Sequence, residues 1–338
     1  MPRQARLDIR DAFHYVHLRG RSGAAIFFDP RILRPLTEHP RHQVENLRRF
    51  EQLIVATLEE CATVLHAYSI EPNAATLVLQ TRGALLNTFM GRLCGQYSRH
   101  VHAQGRMAKG GGVFAGRYGT RMIAPEYLPH AARRAHRAPI VSGLCNRRMD
   151  YPFSSERAYV GERSKGSVLR PELGAVRGAL ALRGHAGLRG YREFMDRPES
   201  PYVAQLFTRG SPDDGRIIGG KLFVRQVRQL LAHPPPAPAR ERLITGVAQL
   251  MNKPSAVMFS HTREGVLGRA LVAWHAVREG SATLSTVGRW FSVTGATLGQ
   301  AIQHHRRLSA DLFRLPLPIR VGSPAARSGA DGDADDED

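Results

Sequence analysis

Two neighbouring stretches of the chain have the β-branched and alternating character of strands. VLHAYSI (residues 64–70) and ATLVLQT (75–81) flank a Glu-Pro-Asn sequence, and two such runs around a turn signal predict a β-hairpin. AFHYVHLRG (12–20) has the composition of a further strand. Because side chains alternate between the two faces of a strand, Ala74 and Thr76 are predicted to lie side by side on one face.

Segments with the periodicity of helices lie between these strands. It predicts a first helix over residues 42–64 and a second over about 85–102. GGGVFAGRYGTRMIA then reads as a loop entering a fourth strand, and EYLPHAARRAHRAPIVSGL as a short helix that Pro139 ends. The order strand, helix, strand, strand, helix, strand predicts an α+β fold, a ferredoxin-like split βαβ sandwich whose sheet is covered by helices on one side.

The second half of the chain is divided by its composition. Residues 161–232 are rich in Gly and Arg and are predicted to be a helical connector to the first domain (1–160), and HPPPAPARE (233–241) is predicted to be a linker. An all-α module over 242–315 follows, in which TLSTVGRWF, SVTG and ATLGQAIQHHRR predict helix, turn and helix. Ser281 is the predicted cap of the first of these helices.

The last helix separates an apolar seam from a polar face. The expected seam consists of Val287, Trp290, Phe291, Leu298 and Ile302. The polar side carries the residue types that contact base edges and phosphates in a DNA-binding helix-turn-helix: Thr297, Gln300, Gln303, His304, Arg306 and Arg307. The alternative is a three-helix bundle that only caps the other domain.

The charge of the chain favours a polyanionic partner. The 338 residues carry a formal charge of +19, and arginines or lysines that neutralise phosphates release counterions. Nucleic acid is therefore the first candidate. The acidic end of the chain (322–338) has the composition of a disordered tail.

The cysteines and the hydropathy bear on the cellular compartment of the protein. Cys61, Cys94 and Cys145 lie far apart without a CxxC pair, which fits neither a disulfide framework nor a thiolate zinc site. No apolar run is long enough for a membrane span, and the first residues lack the apolar core of a signal peptide. A cytoplasmic protein without membrane contact is the expectation.

Five spaced segments resemble the REP-associated tyrosine transposases, relatives of the small single-tyrosine HUH-fold transposases. They are HYVHLRGRSGAAIF, LHAYSIEPNAATLVLQT, GGVFAGRYGTRMI, EYLPHAARRAHRAPIVSGL and DYPFSSERAYVG, in the family's order. The resemblance implies an HUH-transposase-like sheet, two histidines on one strand that hold Mg²⁺ or Mn²⁺, and a helical tyrosine that attacks a DNA phosphate. It further implies single-stranded and hairpin repeats as substrates, with a monomer or a homodimer as the working form.

The chemical positions of that family are substituted in this chain. The two histidine positions are Ala74 and Thr76, the tyrosine position is Arg134, and the assisting amide position is Ala138. Alanine has no ligand atom and a lone threonine hydroxyl is a poor substitute for imidazole, so we expect no metal cofactor. Neighbouring family positions such as Pro72 and Asn73 are retained, which favours a scaffold kept for binding without cleavage.

An arginine at the nucleophile position could hold the phosphate that relatives cut. A guanidinium binds an anion through paired hydrogen bonds without reacting, although a solvated Arg134 is the plain alternative. Further DNA-contacting candidates on the first domain are basic residues beside glycines or on the same helix: Arg19, Arg21, Arg106, Lys109, Arg117 and Arg133.

Two other functions stay open at this point. The first is an active transposase that cleaves DNA through a substitute nucleophile, for which Tyr118 and Tyr127 are the tyrosines nearest in sequence. The second is an RNA-binding protein that uses the same sheet and charge.

Overall fold

The computed structural model describes residues 6–29, 44–105, 112–162, 167–232 and 240–317. Its strands are β1 (Phe13–Arg19), β2 (Thr63–Ile70), β3 (Ala74–Thr81), β4 (Gly119–Ile123) and β5 (Ile217–Ile218). Its helices are α1 (Glu45–Glu60), α2 (Leu86–Ala103), α3 (Leu128–Val141), α4 (Glu156–Tyr159), α5 (Gly174–Ala181), α6 (Gly187–Asp196), α7 (Pro201–Arg209), α8 (Lys221–Ala232), α9 (Arg240–Met251), α10 (Arg263–Arg278), α11 (Leu284–Trp290), α12 (Gly295–Leu308) and α13 (Ala310–Arg314).

The five strands form one sheet in the order β2-β3-β1-β4-β5. The first four strands are antiparallel to their neighbours, and β5 adds a short parallel edge beside β4. The order of β1 to β4 with α1 and α2 as crossovers is that of a split βαβ sandwich. The prediction of an α+β fold with this sheet, followed by a helical C-terminal part, is confirmed.

Both faces of the sheet are covered, whereas the sequence predicted helices on one side only. On one face, Val16, Leu18 and Leu77 pack with the apolar sides of α1 and α2. On the other face, Val78 packs with residues of α3, α5, α6 and α7. The buried strands β2 and β3 are apolar on both sides, as is typical of a sheet sandwiched between two helical layers.

Part of the region predicted to be a connector belongs to this second layer. Val176, Leu180 and Phe194 of the 161–232 region share a core with α3. The boundary placed at residue 160 therefore falls inside one compact unit, which comprises Met1–Pro235 and Val277–Ser281. The Gly- and Arg-rich composition predicted a helical connector, and apolar side chains at helical spacing attach part of it to the sheet.

Pro139 does not end α3, contrary to the sequence prediction. The helix continues to Val141, and the Ser142 amide still donates to the Ala138 carbonyl. Proline removes one helical hydrogen bond, and only two helical residues follow it here, so the cost is confined to the last turn.

The second unit (Pro236–Ala276 and Ala282–Asp338) has a helical core of its own. α11 and α12 are joined by the residues 291–294, and Val287, Phe291, Leu298 and Ile302 are buried as expected, with Trp290 partly buried. Thr283, rather than Ser281, caps α11 by accepting the Thr286 amide proton. Across the described residues, no helix is long and apolar enough to cross a membrane.

Candidate nucleic-acid interface

A cavity of about 1070 Å³ lies between the sheet and α3. Its floor consists of alternate residues of β1 and β3, since the register pairs His17 with Thr76 and Arg19 with Ala74. α3 supplies the opposite wall. Asp196 at the end of α6 and the residues 197–199 after it complete the lining. The cavity is thus built by segments more than 100 residues apart.

The four positions to which the resemblance assigns chemistry come together in this cavity. Ala74 and Thr76 lie on its floor, and Arg134 and Ala138, one helical turn apart, line its wall. Ala74 and Thr76 are buried, and the Arg134 side chain is 28% exposed. Five arginines and three acidic residues border the space, so its basic side chains outnumber its acidic ones.

The floor carries a histidine that the sequence analysis did not single out. His17 Nδ1 lies 3.2 Å from Thr76 Oγ1, and Arg19 Nε donates to His17 Nε2 at 2.9 Å. Because the arginine is always a donor, the neutral ring carries its proton on Nδ1 and donates it to the threonine. Burial and the nearby Arg19 charge lower the pKa of His17, which favours this neutral form.

The donor set on the floor does not fit a divalent ion. Ala74 offers no ligand atom, and Thr76 Oγ1 already accepts the proton of His17. Glu71 accepts a hydrogen bond from the Ser142 hydroxyl, and burial raises its pKa, partly opposed by Ser142 and Arg19. Among the described residues, no three His, Cys, Asp or Glu side chains are grouped to hold a metal.

Arg134 is paired with an acid of the same chain. Its Nε donates to Glu199 Oε1 at 3.1 Å, and its second terminal nitrogen donates to Oε2. The guanidinium also lies over the Phe207 ring, 4.7 Å from the centroid. The predicted phosphate clamp is therefore already occupied by a carboxylate in a paired geometry.

Arg133 is largely buried and is held by groups of the same chain. Its side chain is 4% exposed, and one terminal nitrogen donates to the carbonyl oxygens of Phe194 and Arg197. Adjacent residues of α3 point about 100° apart. Arg133 therefore lies mainly against the end of α6 and borders the cavity with little exposed surface, while Arg134 faces the cavity.

The tyrosines near the cavity differ in their placement. Tyr15 lines the floor, whereas Tyr118 and Tyr127 do not line the cavity. Burial raises the pKa of Tyr15, partly opposed by the Arg134 charge and a hydrogen bond with Thr76. Burial likewise raises the pKa of Tyr118 to about 12. Each of these phenols is held in its protonated form.

A buried polar network supports α3 behind the cavity. His136 Nε2 lies 2.7 Å from Ser155 Oγ, and His136 Nδ1 lies 2.8 Å from Glu156 Oε2. Arg148 and Tyr191 also donate to the Glu156 carboxylate. Burial opposes its ionisation, but His136, Arg148 and Tyr191 together lower the pKa of Glu156 to about 2.

The three side chains of this network are hydrogen-bonded in the same sequence as a catalytic Ser-His-acid triad, but they are not accessible to a substrate. Ser155, His136 and Glu156 are each no more than 1% exposed, and Ser155 Oγ accepts the Tyr68 amide proton. A nucleophile must reach its substrate. We therefore assign the network to the attachment of the 154–156 segment to β2 and α3.

The remaining basic candidates of the first unit lie at the surface around the end of β1. Arg19, Arg21 and Arg117 are exposed. Backbone hydrogen bonds from Arg21 to Val113 and from Ala115 to Arg19 join the two segments that carry them. Arg106 and Lys109 lie outside the described residues.

In the second unit, α12 presents its predicted polar face. Thr297, Gln300, Gln303, His304 and Arg307 are exposed. Arg306 differs, because its guanidinium lies over the Trp274 ring at 4.4 Å and the side chain is partly buried. Thr294 caps α12 by accepting the Thr297 amide proton.

The fit between α11 and α12 depends on a glycine. A Cβ at Gly288 would lie 2.4 Å from the Val293 carbonyl oxygen. This distance is too short for a non-bonded contact, so a residue with a side chain does not fit there. The turn between the two helices is thus tight, and the exposed face of α12 belongs to one helix.

Comparison with known proteins gives little. No family model and no curated protein matches the chain. A solved structure of a REP-associated tyrosine transposase bound to a REP hairpin matches with 14% identity and a TM-score of 0.37, covering 51% of this chain and 93% of the other. Likeness at this level establishes neither a family nor a function.

Proposed function

We propose that the protein binds DNA without cutting it. In this proposal the cavity of the first unit takes single-stranded or hairpin DNA, and the exposed face of α12 takes duplex DNA. The observation that carries the proposal is the gathering of Ala74, Thr76, Arg134 and Ala138 in one arginine-bordered cavity. The motif resemblance assigns strand cleavage to these four positions, and here they offer positive charge and small side chains.

The cavity supports binding more than chemistry. Arg19 and Arg137 border it, and Arg137 makes no ion pair within the described part of the chain. Such arginines hold phosphate oxygens by charge-assisted hydrogen bonds. The neutral His17 and the protonated Tyr15 add hydrogen-bonding groups, but neither is activated for attack on phosphorus.

The face of α12 supports a separate duplex contact. Gln300 and Gln303 carry amides that can pair with adenine, and Arg307 carries a donor fork for guanine or phosphate. In a helix-turn-helix, the second helix enters the major groove. The +19 charge of the chain is consistent with both contacts.

The test measures affinity and salt dependence for a labelled DNA hairpin and a labelled duplex. Arg137→Ala should weaken hairpin binding and reduce its salt slope by about 0.7, the value for one lost phosphate contact on a single strand. Arg307→Ala should weaken duplex binding instead. Arg189→Ala is the charge-matched control, because Arg189 is 93% exposed on α6 and lies outside the cavity.

Three outcomes would contradict the proposal. Equal effects of Arg137→Ala and Arg189→Ala would remove the cavity from the interface. A covalent protein–DNA adduct with Mg²⁺ or Mn²⁺ would show cleavage through a substitute nucleophile, for which Tyr15 is the tyrosine in the cavity. Preferential displacement of the hairpin by RNA at fixed salt would make RNA the ligand.

A further inference from the structure

We infer that Glu199 occupies the place of a phosphate group and competes with nucleic acid for Arg134. This inference rests on the proposed function. Both carboxylate oxygens of Glu199 accept hydrogen bonds from Arg134, and a phosphate group presents its oxygens to the same guanidinium fork in the same paired way.

The surroundings hold the Arg134 fork in place for an anion. Its guanidinium plane is supported by the Phe207 ring at 4.7 Å, and Arg133 adds a second positive charge 3.7 Å from Glu199 Oε1. The single negative charge of Glu199 is thus close to the positive charges of two arginines. Arg137, one turn further along α3, borders the same cavity.

Glu199 is placed where it can leave the site. It belongs to the four-residue connection between α6 and α7, so its departure disrupts no helix. Its side chain is 19% exposed. The N-terminus of α7 keeps its own cap, because Ser200 accepts the Val203 amide proton.

The consequence is a threshold for binding. In the free protein, Arg134 is neutralised by Glu199, and an incoming phosphate must replace that contact. A single weak anion gains little from the exchange, whereas a strand that also contacts Arg137 and Arg19 gains several contacts at once. Glu199 therefore acts as a specificity-determining residue that favours polyanions.

The experiment compares hairpin DNA affinity in a double-mutant cycle. Glu199→Gln removes the competing charge and should tighten binding about fivefold, the effect expected for a partly exposed ion pair. The gain should vanish in the Arg134→Ala background. Glu193→Gln is the matched control, because Glu193 lies on α6, pairs with Arg189 at the surface and does not border the cavity.

The outcomes are distinct. Equal affinities of Glu199→Gln and Glu193→Gln, or weaker binding by Glu199→Gln, would overturn the inference, because Glu199 would then only orient Arg134. If Glu199→Gln does not fold, Glu199→Asp withdraws the carboxylate at unchanged charge and should also tighten binding. Failure of the proposed function looks different: the wild type then binds no hairpin, or binds it independently of Arg137.

Discussion

The two candidate interfaces are built in opposite ways. The cavity of the first unit combines β1, β3, α3 and the connection after α6, and its arginines are largely engaged by neighbours of the same chain. The face of α12 comes from one helix, and most of its polar side chains are exposed. The first interface depends on packing over long sequence distances, and the second depends on little more than helical periodicity.

Spectroscopy can separate the two regions in the intact chain. All nine tyrosines belong to the first unit, and Trp274 and Trp290, the two tryptophans, belong to the second. Tyrosine absorbance therefore follows the unit with the cavity, and tryptophan emission follows the unit with α12.

The buried network behind α3 gives the largest expected effect. Glu156→Ala should lower the free energy of unfolding of the first unit by about 3–5 kcal/mol, because the largely buried Arg148 and His136 lose their shared carboxylate. Urea unfolding followed by tyrosine absorbance measures this loss. A loss no larger than that of the surface variant Glu193→Ala would show that the cavity does not depend on the network.

His14 makes the same unit sensitive to acid. Its ring is buried on β1, neither ring nitrogen has a hydrogen-bond partner among the described residues, and burial lowers its pKa to about 4. Between pH 4 and pH 6.5 the imidazole binds a proton in the unfolded chain, where its pKa is the ordinary 6.5, but not in the folded protein. The free energy of unfolding is thus highest above pH 6.5 and decreases by roughly 3 kcal/mol as the pH falls towards 4.

Replacement of His14 isolates this contribution. His130 also has its pKa lowered to about 4, chiefly by burial, and it remains in both proteins. The difference in unfolding free energy between wild type and His14→Leu should therefore change across the pH 4–6.5 window. Parallel stability curves for the two proteins would refute the assignment.

The cap of α12 gives the smallest effect and a local one. Thr294→Ala should cost about 1 kcal/mol, because the Thr297 amide loses its acceptor at the start of the helix. Tryptophan emission during urea unfolding measures the change. Ser285→Ala, at an exposed position of α11, should change stability by less than about 0.5 kcal/mol. A shift in the tyrosine signal would contradict the local origin of the effect.

The elements that the sequence predicted well are those with a clear period. β1, β2, β3, α1 and α2 lie within a few residues of their predicted bounds, and two helices, α11 and α12, lie in the segments whose periodicity is helical. The roles of Arg133 and Pro139 could not be predicted, because both depend on which neighbours surround α3. The linker and the acidic tail lie largely or wholly outside the described residues.

The sequence by itself determined the strand and helix periods, the net positive charge and the presence of Ala74, Thr76, Arg134 and Ala138 at their positions, because each is a property of local residue identity. Only the tertiary structure decided that helices cover both sides of the sheet, that His17 and Tyr15 share a floor with Thr76, and that Glu199 pairs with Arg134. The physical reason is sequence distance: Arg134 and Glu199 are 65 residues apart, and no local pattern records which distant acid a folded arginine will meet.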